Sequence, residues 1–217
     1  MRNRKTYALA VSTKRRDYSF GGDTICRDKS EILERDSDVW VEGPKLISGV
    51  AYGCGVQISE DELVLIDGGT SSITGNRIMK LNTSSNEWEI DKIHILKKRS
   101  FHTCIAFNSK ILIAGGMGEK TSYLKSTEII DLYENGTMSI RKSADLNTPR
   151  HSHGMGIINI ENLATVVVFG GSSKSGTLDS VEIWDDASET WNISNLKLKQ
   201  ARSEFAFTSV PTELLCP

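Results

Sequence analysis

An all-β chain built from four successive copies of one four-stranded unit is what the sequence predicts, and three observations carry the prediction. Glycine pairs stand at Gly21–Gly22, Gly68–Gly69, Gly115–Gly116 and Gly170–Gly171, at intervals of 47, 47 and 55 residues. Each pair closes a run of branched and aromatic residues that favours a strand: RDYSFGG, LVLIDGG, ILIAGG and VVVFGG. A large apolar residue follows each first glycine by 19, 20, 23 and 21 positions, namely Trp40, Trp88, Met138 and Trp191. A period near 50 residues fits a propeller or a solenoid.

Each element of the unit has its own justification. The glycine pair ends a strand where the chain needs positive φ or close backbone approach, which a Cβ resists. The segments SEILERDSDVW, RIMKLNTSSNEW, STEIIDLYENGTM and SVEIWDDASETW then read as a strand, a polar turn and a second strand opening on the large apolar residue. A further strand begins at RSFHTCIAF, RHSHGMGII and RSEFAFTSV, from Arg99, Arg150 and Arg202; the first two carry Arg, two residues, then His. In the third, Phe205 replaces the His. YGCGVQISEDELVLIDGG lines up with HGMGIINIENLATVVVFGG, setting Tyr52 against His153 and Gly49 against Arg150, and RKTYALAV puts Arg4 and Tyr7 on the same pattern. The units run approximately over 4–48, 49–98, 99–149 and 150–201 of a single domain, with 202–217 left as a surplus terminal strand.

Composition narrows the function classes. With 26 Lys and Arg against 28 Asp and Glu, no global field favours nucleic acid or an anionic membrane. The basic N-terminal cluster of Arg2, Arg4, Lys5, Lys14, Arg15 and Arg16 is read as a solvated hairpin loop. No run approaches a membrane span, and no export signal is visible, which favours the cytoplasm; an extracellular setting fits if the chain is a fragment. Sequons start at Asn82, Asn135 and Asn192, a number that chance supplies in a chain this rich in Ser and Thr. Cys26, Cys54, Cys104 and Cys216 form no CxxC pair, which argues against a zinc or dithiol motif. Cys54 and Cys104 share one repeat position with Met155 and are expected as buried packing, while ring closure could bring Cys26 to Cys216.

Several motifs fail on inspection. ILIAGGMGEKTS resembles a phosphate loop, but Glu119 and Ala114 stand where GxxxxGK[ST] requires glycines, and a carboxylate there repels phosphate. DGGTSS, from Asp67, resembles an aspartic-protease loop, yet Gly68 replaces the hydroxyl residue and no second copy exists. His151 and His153 share a strand face but lack a third ligand nearby. No metal, no cofactor and no catalytic residue is expected.

Gly-Gly after an apolar strand, a large residue about twenty positions on, and Arg-x-x-His opening the next strand together resemble the kelch repeat, over essentially the whole chain. The resemblance implies a β-propeller whose repeats are four-stranded blades, with the Arg-x-x-His strand innermost and the Trp strand outermost. Kelch propellers usually have five to seven blades, so four repeats plus a surplus strand leave three arrangements: a partial propeller with blades missing, ranked slightly ahead, a terminal strand that competes with YALAV for the first blade, or four blades that close imperfectly. Asp67 departs from the pattern, in a slot held elsewhere by Phe20, Ala114 and Phe169. The family's copper-radical oxidases need a Tyr and His cluster that is missing here. What the resemblance implies is a non-catalytic module binding a protein or peptide, an acidic one among the candidates, as adaptors and scaffolds do; the alternative is a carbohydrate-directed enzyme or lectin-like propeller with its site at the axis. Carried over, the contact loops run from Asp23 to Lys29, Thr70 to Asn76, Met117 to Ser126 and Ser172 to Asp179. Candidate contact residues are Arg99, Arg150, Arg202, His102, His153, Tyr52, Arg27, Asn76, Tyr123, Lys120 and Ser172, the arginines suited to forking onto a carboxylate or, equally, to tying blades together.

Overall fold

The computed structural model describes residues 5–22, 24–69 and 74–207. Asp23, part of the Thr70–Asn76 loop, Arg4 and the Cys216 of the expected Cys26 pairing lie outside them. The fold is all-β. The first sheet holds β1 (Leu9–Ser12), β2 (Arg16–Phe20), β3 (Ser30–Glu34) and β4 (Val41–Glu42). The second holds β5 (Cys54–Ser59), β6 (Glu62–Ile66), β7 (Gly75–Asn82) and β8 (Glu87–Arg99), and the third β9 (Thr103–Phe107), β10 (Lys110–Ala114), β11 (Thr127–Leu132) and β12 (Met138–Ser143). The fourth begins with β13 (Gly154–Ile160) and β14 (Leu163–Phe169). A short hairpin, β15 (Ser172–Ser173) with β16 (Gly176–Thr177), then interrupts before β17 (Ser180–Asp185) and β18 (Thr190–Lys197) complete that sheet. All pairings are antiparallel and the strands of each four-stranded sheet pair in chain order, so each is a meander, the fourth with the β15–β16 hairpin inserted between β14 and β17.

Successive sheets pack face to face through three apolar layers. Leu9, Tyr18 and Phe20 of the first sheet meet Leu63, Leu65 and Met79 of the second. Val64, Ile66 and Ile78 then meet Ile111, Ile113 and Ile130, and Leu112, Ala114 and Ile129 meet Val166, Val168, Trp184 and Trp191. The alternation along each strand gives both faces of the middle sheets an apolar set, which suits sheets covered on two sides. The first strands β1, β5, β9 and β13 lie beside one another in succession. Trp88 and Trp191 fall on the fourth strands β8 and β18, Met138 opens β12, and Trp40 directly precedes β4.

Backbone hydrogen bonds also join the units at the start of the first strands. Tyr52 N–H donates to Tyr7 O (3.1 Å), Phe101 N–H to Tyr52 O (2.6 Å), Ser152 N–H to Phe101 O (3.0 Å) and Glu204 N–H to Ser152 O (3.0 Å). All five residues hold φ between 51° and 57°, the left-handed region that bulky side chains rarely enter. Repetition at five equivalent places marks it as part of the architecture. Residues 202–207 thus continue the register of the four units, and Phe205 and Phe207 pack their rings against Phe169.

This ladder corrects the sequence alignment of the second unit. Tyr52 stands level with Phe101 and Ser152, not with His102 and His153, and Val50, not Gly49, stands level with Arg150. In the first unit Lys5, two residues before Tyr7, holds that place. The glycine pair slips as well. Gly21, Gly115 and Gly170 donate their N–H to Lys29, Ser126 and Ser180, and it is Asp67, not Gly68, that makes the equivalent bond to Arg77 O (3.0 Å). Elsewhere the first glycine is required: a Cβ on Gly21 or Gly115 would sit 2.1 or 2.4 Å from the carbonyl oxygen of Val50 or Arg150.

Candidate functional site

Arg99 and Arg150 are held inside the protein, which corrects their expected role as contact residues. Both are completely buried. Arg99 donates through Nη1 to the carbonyls of Gly115 (2.7 Å) and Ser126 (2.8 Å), and through Nη2 to Ser126 Oγ and Glu128. Arg150 repeats this with Gly170 O (2.8 Å), Ser180 O, Ser180 Oγ and Glu182 (2.9 Å). The carboxylates continue outward: Glu128 accepts from the N–H of Leu96 and Lys97 on β8, and Glu182 from the N–H of Asn147 and Thr148. Each Arg–Glu pair therefore fastens a sheet to the chain arriving from the sheet before it. Burial lowers both guanidinium pKa values and the facing glutamates oppose that fall.

The acidic partners were missed in the sequence, although a signal was present. SEIL, TEII and VEIW share Glu-Ile at the third strand, and these are the units that open on Lys5, Arg99 and Arg150. Lys5 Nζ lies 3.4 Å from Glu31, both side chains buried. The second unit lacks both charges together: Val50 and Met79 take the two places and share one apolar cluster. There Asp67 instead binds Arg77 (2.7 Å) and the N–H of Gly69 (2.7 Å), and Arg77 also reaches Gly49 O and Ser48 Oγ.

The other candidates divide by position. His102 and His153 are buried and face a cavity of about 550 Å³ where the first strands begin. Burial first, then the charge of Arg99, pushes His102 down to about 3, and His153 is likewise held well below the ordinary imidazole range. His153 Nε2 meets Thr103 Oγ1 at 2.8 Å, while neither ring nitrogen of His102 has a partner among the described residues. Tyr52 is buried, and Arg202 is exposed with no buried carboxylate beside it among the described residues. Lys120 and Tyr123 are exposed on the loop after β10. Asn76 lies in β7, Arg27 gives its carbonyl to Val50 N–H, and Ser172 exchanges two backbone bonds with His151.

The structure adds an aromatic group that the sequence reading had only in part. The rings of Tyr7 and Tyr52 meet at 4.5 Å, tilted by 31°, Phe101 meets them at 5.6 and 4.7 Å, and His151 links Phe101 (5.9 Å) to Tyr123 (5.2 Å). Tyr7 is 48% and Tyr123 37% exposed. Tyr7, Tyr52 and Phe101, all at left-handed φ, line the mouth of the cavity, an arrangement that no local sequence signal announces. This end of the sheets is also where the loops after the glycine pairs emerge.

Cys54 and Cys104, expected as unreactive packing at one repeat position, are instead joined by a disulfide (Cα–Cα 5.8 Å). The reason is the register slip. Cys54 pairs with Ile66 as Thr103 pairs with Ala114, so Cys54 stands one place earlier than Cys104. One residue reverses the face a strand side chain presents. Cys54 therefore points toward the third sheet and Cys104 back toward the second.

Among the described residues, no group of three or more His, Cys, Asp or Glu side chains is placed to hold a metal. No described helix is long and apolar enough to cross a membrane. No family model matches the chain. Residue comparison finds 28% identity over 95 residues with tRNA wybutosine-synthesizing protein 2/3/4 of Oryza sativa subsp. japonica, covering 44% of this chain. The match spans 9% of that relative.

Proposed function

We propose that the four sheets are blades of a kelch-type β-propeller segment that works as a non-catalytic interaction module, with a protein or peptide docking on the aromatic end. The single observation that carries this reading is the run of rings from Tyr7 through Tyr52, Phe101 and His151 to Tyr123, open to solvent at both extremities. Aromatic side chains supply large, stiff contact area and dominate the energetics of protein interfaces. Arg202 and Lys120, exposed at this end, suit carboxylates on the partner; Arg99 and Arg150 are buried, with their Nη groups engaged inside the chain. The rice relative acts in wybutosine synthesis by its name, and so short a match brings no tRNA substrate to this chain.

A paired capture experiment tests the reading, using tagged chain and extract from the native source. Tyr7→Ser with Tyr123→Ser loses the proteins held by the wild type, while Leu163→Ser, an exposed apolar change at the opposite end, keeps them. Equal capture by all three proteins sinks the proposal. A second reading, a small hydroxylated ligand such as a monosaccharide in the axial cavity, is favoured by the unpartnered ring of buried His102.

A further inference from the structure

Two features stand outside the binding reading, the three sequons and the disulfide, and they converge. Asn82 closes β7, Asn135 lies in the turn between β11 and β12, and Asn192 is the third residue of β18. All three are exposed. The meander topology puts these third-to-fourth-strand turns at one end of successive sheets, opposite the aromatic mouth. Asn108 and Asn147 spend Nδ2 on Asp186 and Glu182, whereas no hydrogen bond engages the Nδ2 of Asn82, Asn135 or Asn192 among the described residues. Asn135 Oδ1 accepts from Thr137 N–H (3.0 Å) and Thr137 Oγ1 (2.6 Å), and Asn82 Oδ1 from Ser84 and Ser85 N–H, so the turn is held through the oxygen and not through the amide nitrogen.

We propose that Asn82, Asn135 and Asn192 are N-glycan attachment sites, and that the chain matures in an oxidising secretory compartment. In the transfer, Nδ2 loses one proton and bonds to the anomeric carbon of an oligosaccharide, and the bond from that carbon to its lipid diphosphate carrier breaks, releasing the diphosphate. The Cys54–Cys104 bond forms as two thiols give up two protons and two electrons to a disulfide-exchange protein of that compartment, a state that the reducing cytosol opposes. Glycans on the turns leave the aromatic end uncovered, so modification and binding are compatible.

The test uses the full chain isolated from its native source, released with peptide N-glycosidase in heavy-oxygen water. Conversion to labelled Asp at 82, 135 and 192 is expected, together with a linked Cys54–Cys104 peptide that no alkylating reagent labels before reduction. Asn135→Gln removes one of three mobility steps. Any sequon recovered unconverted is struck from the assignment. Three unconverted asparagines, or Cys54 and Cys104 recovered as thiols, overturn the proposal.

Discussion

At the residue scale, Arg99 and Arg150 show how one motif serves two opposite expectations. An Arg that could fork onto a partner's carboxylate here forks onto Glu128 or Glu182 of its own chain. Arg99→Ala strands a buried glutamate, a loss that typically costs about 3–5 kcal/mol. Glu189→Gln cuts the contacts to Arg141 and Lys110, but those groups are 39% and 22% exposed and Glu189 itself 33%, so solvent screening holds the cost to about 1 kcal/mol or less. Urea denaturation separates the two. The second unit already contains the apolar alternative, so Arg99→Val combined with Glu128→Met recovers most of what either change alone loses, as a double-mutant cycle will register.

The buried histidines give a pH dependence whose sign is fixed. Their folded pKa values lie below the unfolded value of about 6.5, so between those limits the unfolded chain binds more protons. Their contribution to stability is fully present above pH 6.5 and falls as the pH drops below it, for His102 down to about 3. Thermal melts from pH 7 to pH 4.5 should show a falling midpoint, and His102→Phe, which copies Phe205, should flatten that slope. A midpoint equally pH-dependent in the variant would contradict the assignment.

At the scale of elements, the strands were legible and their alignment was not wholly so. Glycine pairs, β-branched runs and the Trp spacing locate the strands because those signals are local. The second unit misled because Asp67 holds the first-glycine place, so aligning Gly68–Gly69 with the other pairs shifts every residue by one. That shift hid the disulfide, since two cysteines at truly equivalent positions would face the same way round and could not meet. The Glu-Ile pattern shared by three units was readable as the partner of Lys5, Arg99 and Arg150, but only by comparing the units with one another. Burial of the arginines was not readable, because charge in a sequence carries no record of which side chains cover it.

For the whole molecule, the ladder from Tyr7 to Glu204 sets first strands side by side and gives the sheets two unlike ends. One end collects the aromatic rings, the cavity and the long loops. The other carries short turns, with Glu189 joining the third and fourth sheets through Arg141 and Lys110. The aromatic rings were only partly legible, since Tyr52 and Tyr123 were visible candidates while Tyr7, Phe101 and His151 meet them only once the units stand side by side.

The most direct test of recognition at the aromatic end places a photo-reactive amino acid at Tyr123 in one sample and at Glu161, in the β13–β14 turn, in another. Irradiation in native extract should yield a partner adduct from position 123 and none from 161. Adducts of equal yield from both positions, or from 161 alone, would contradict the account.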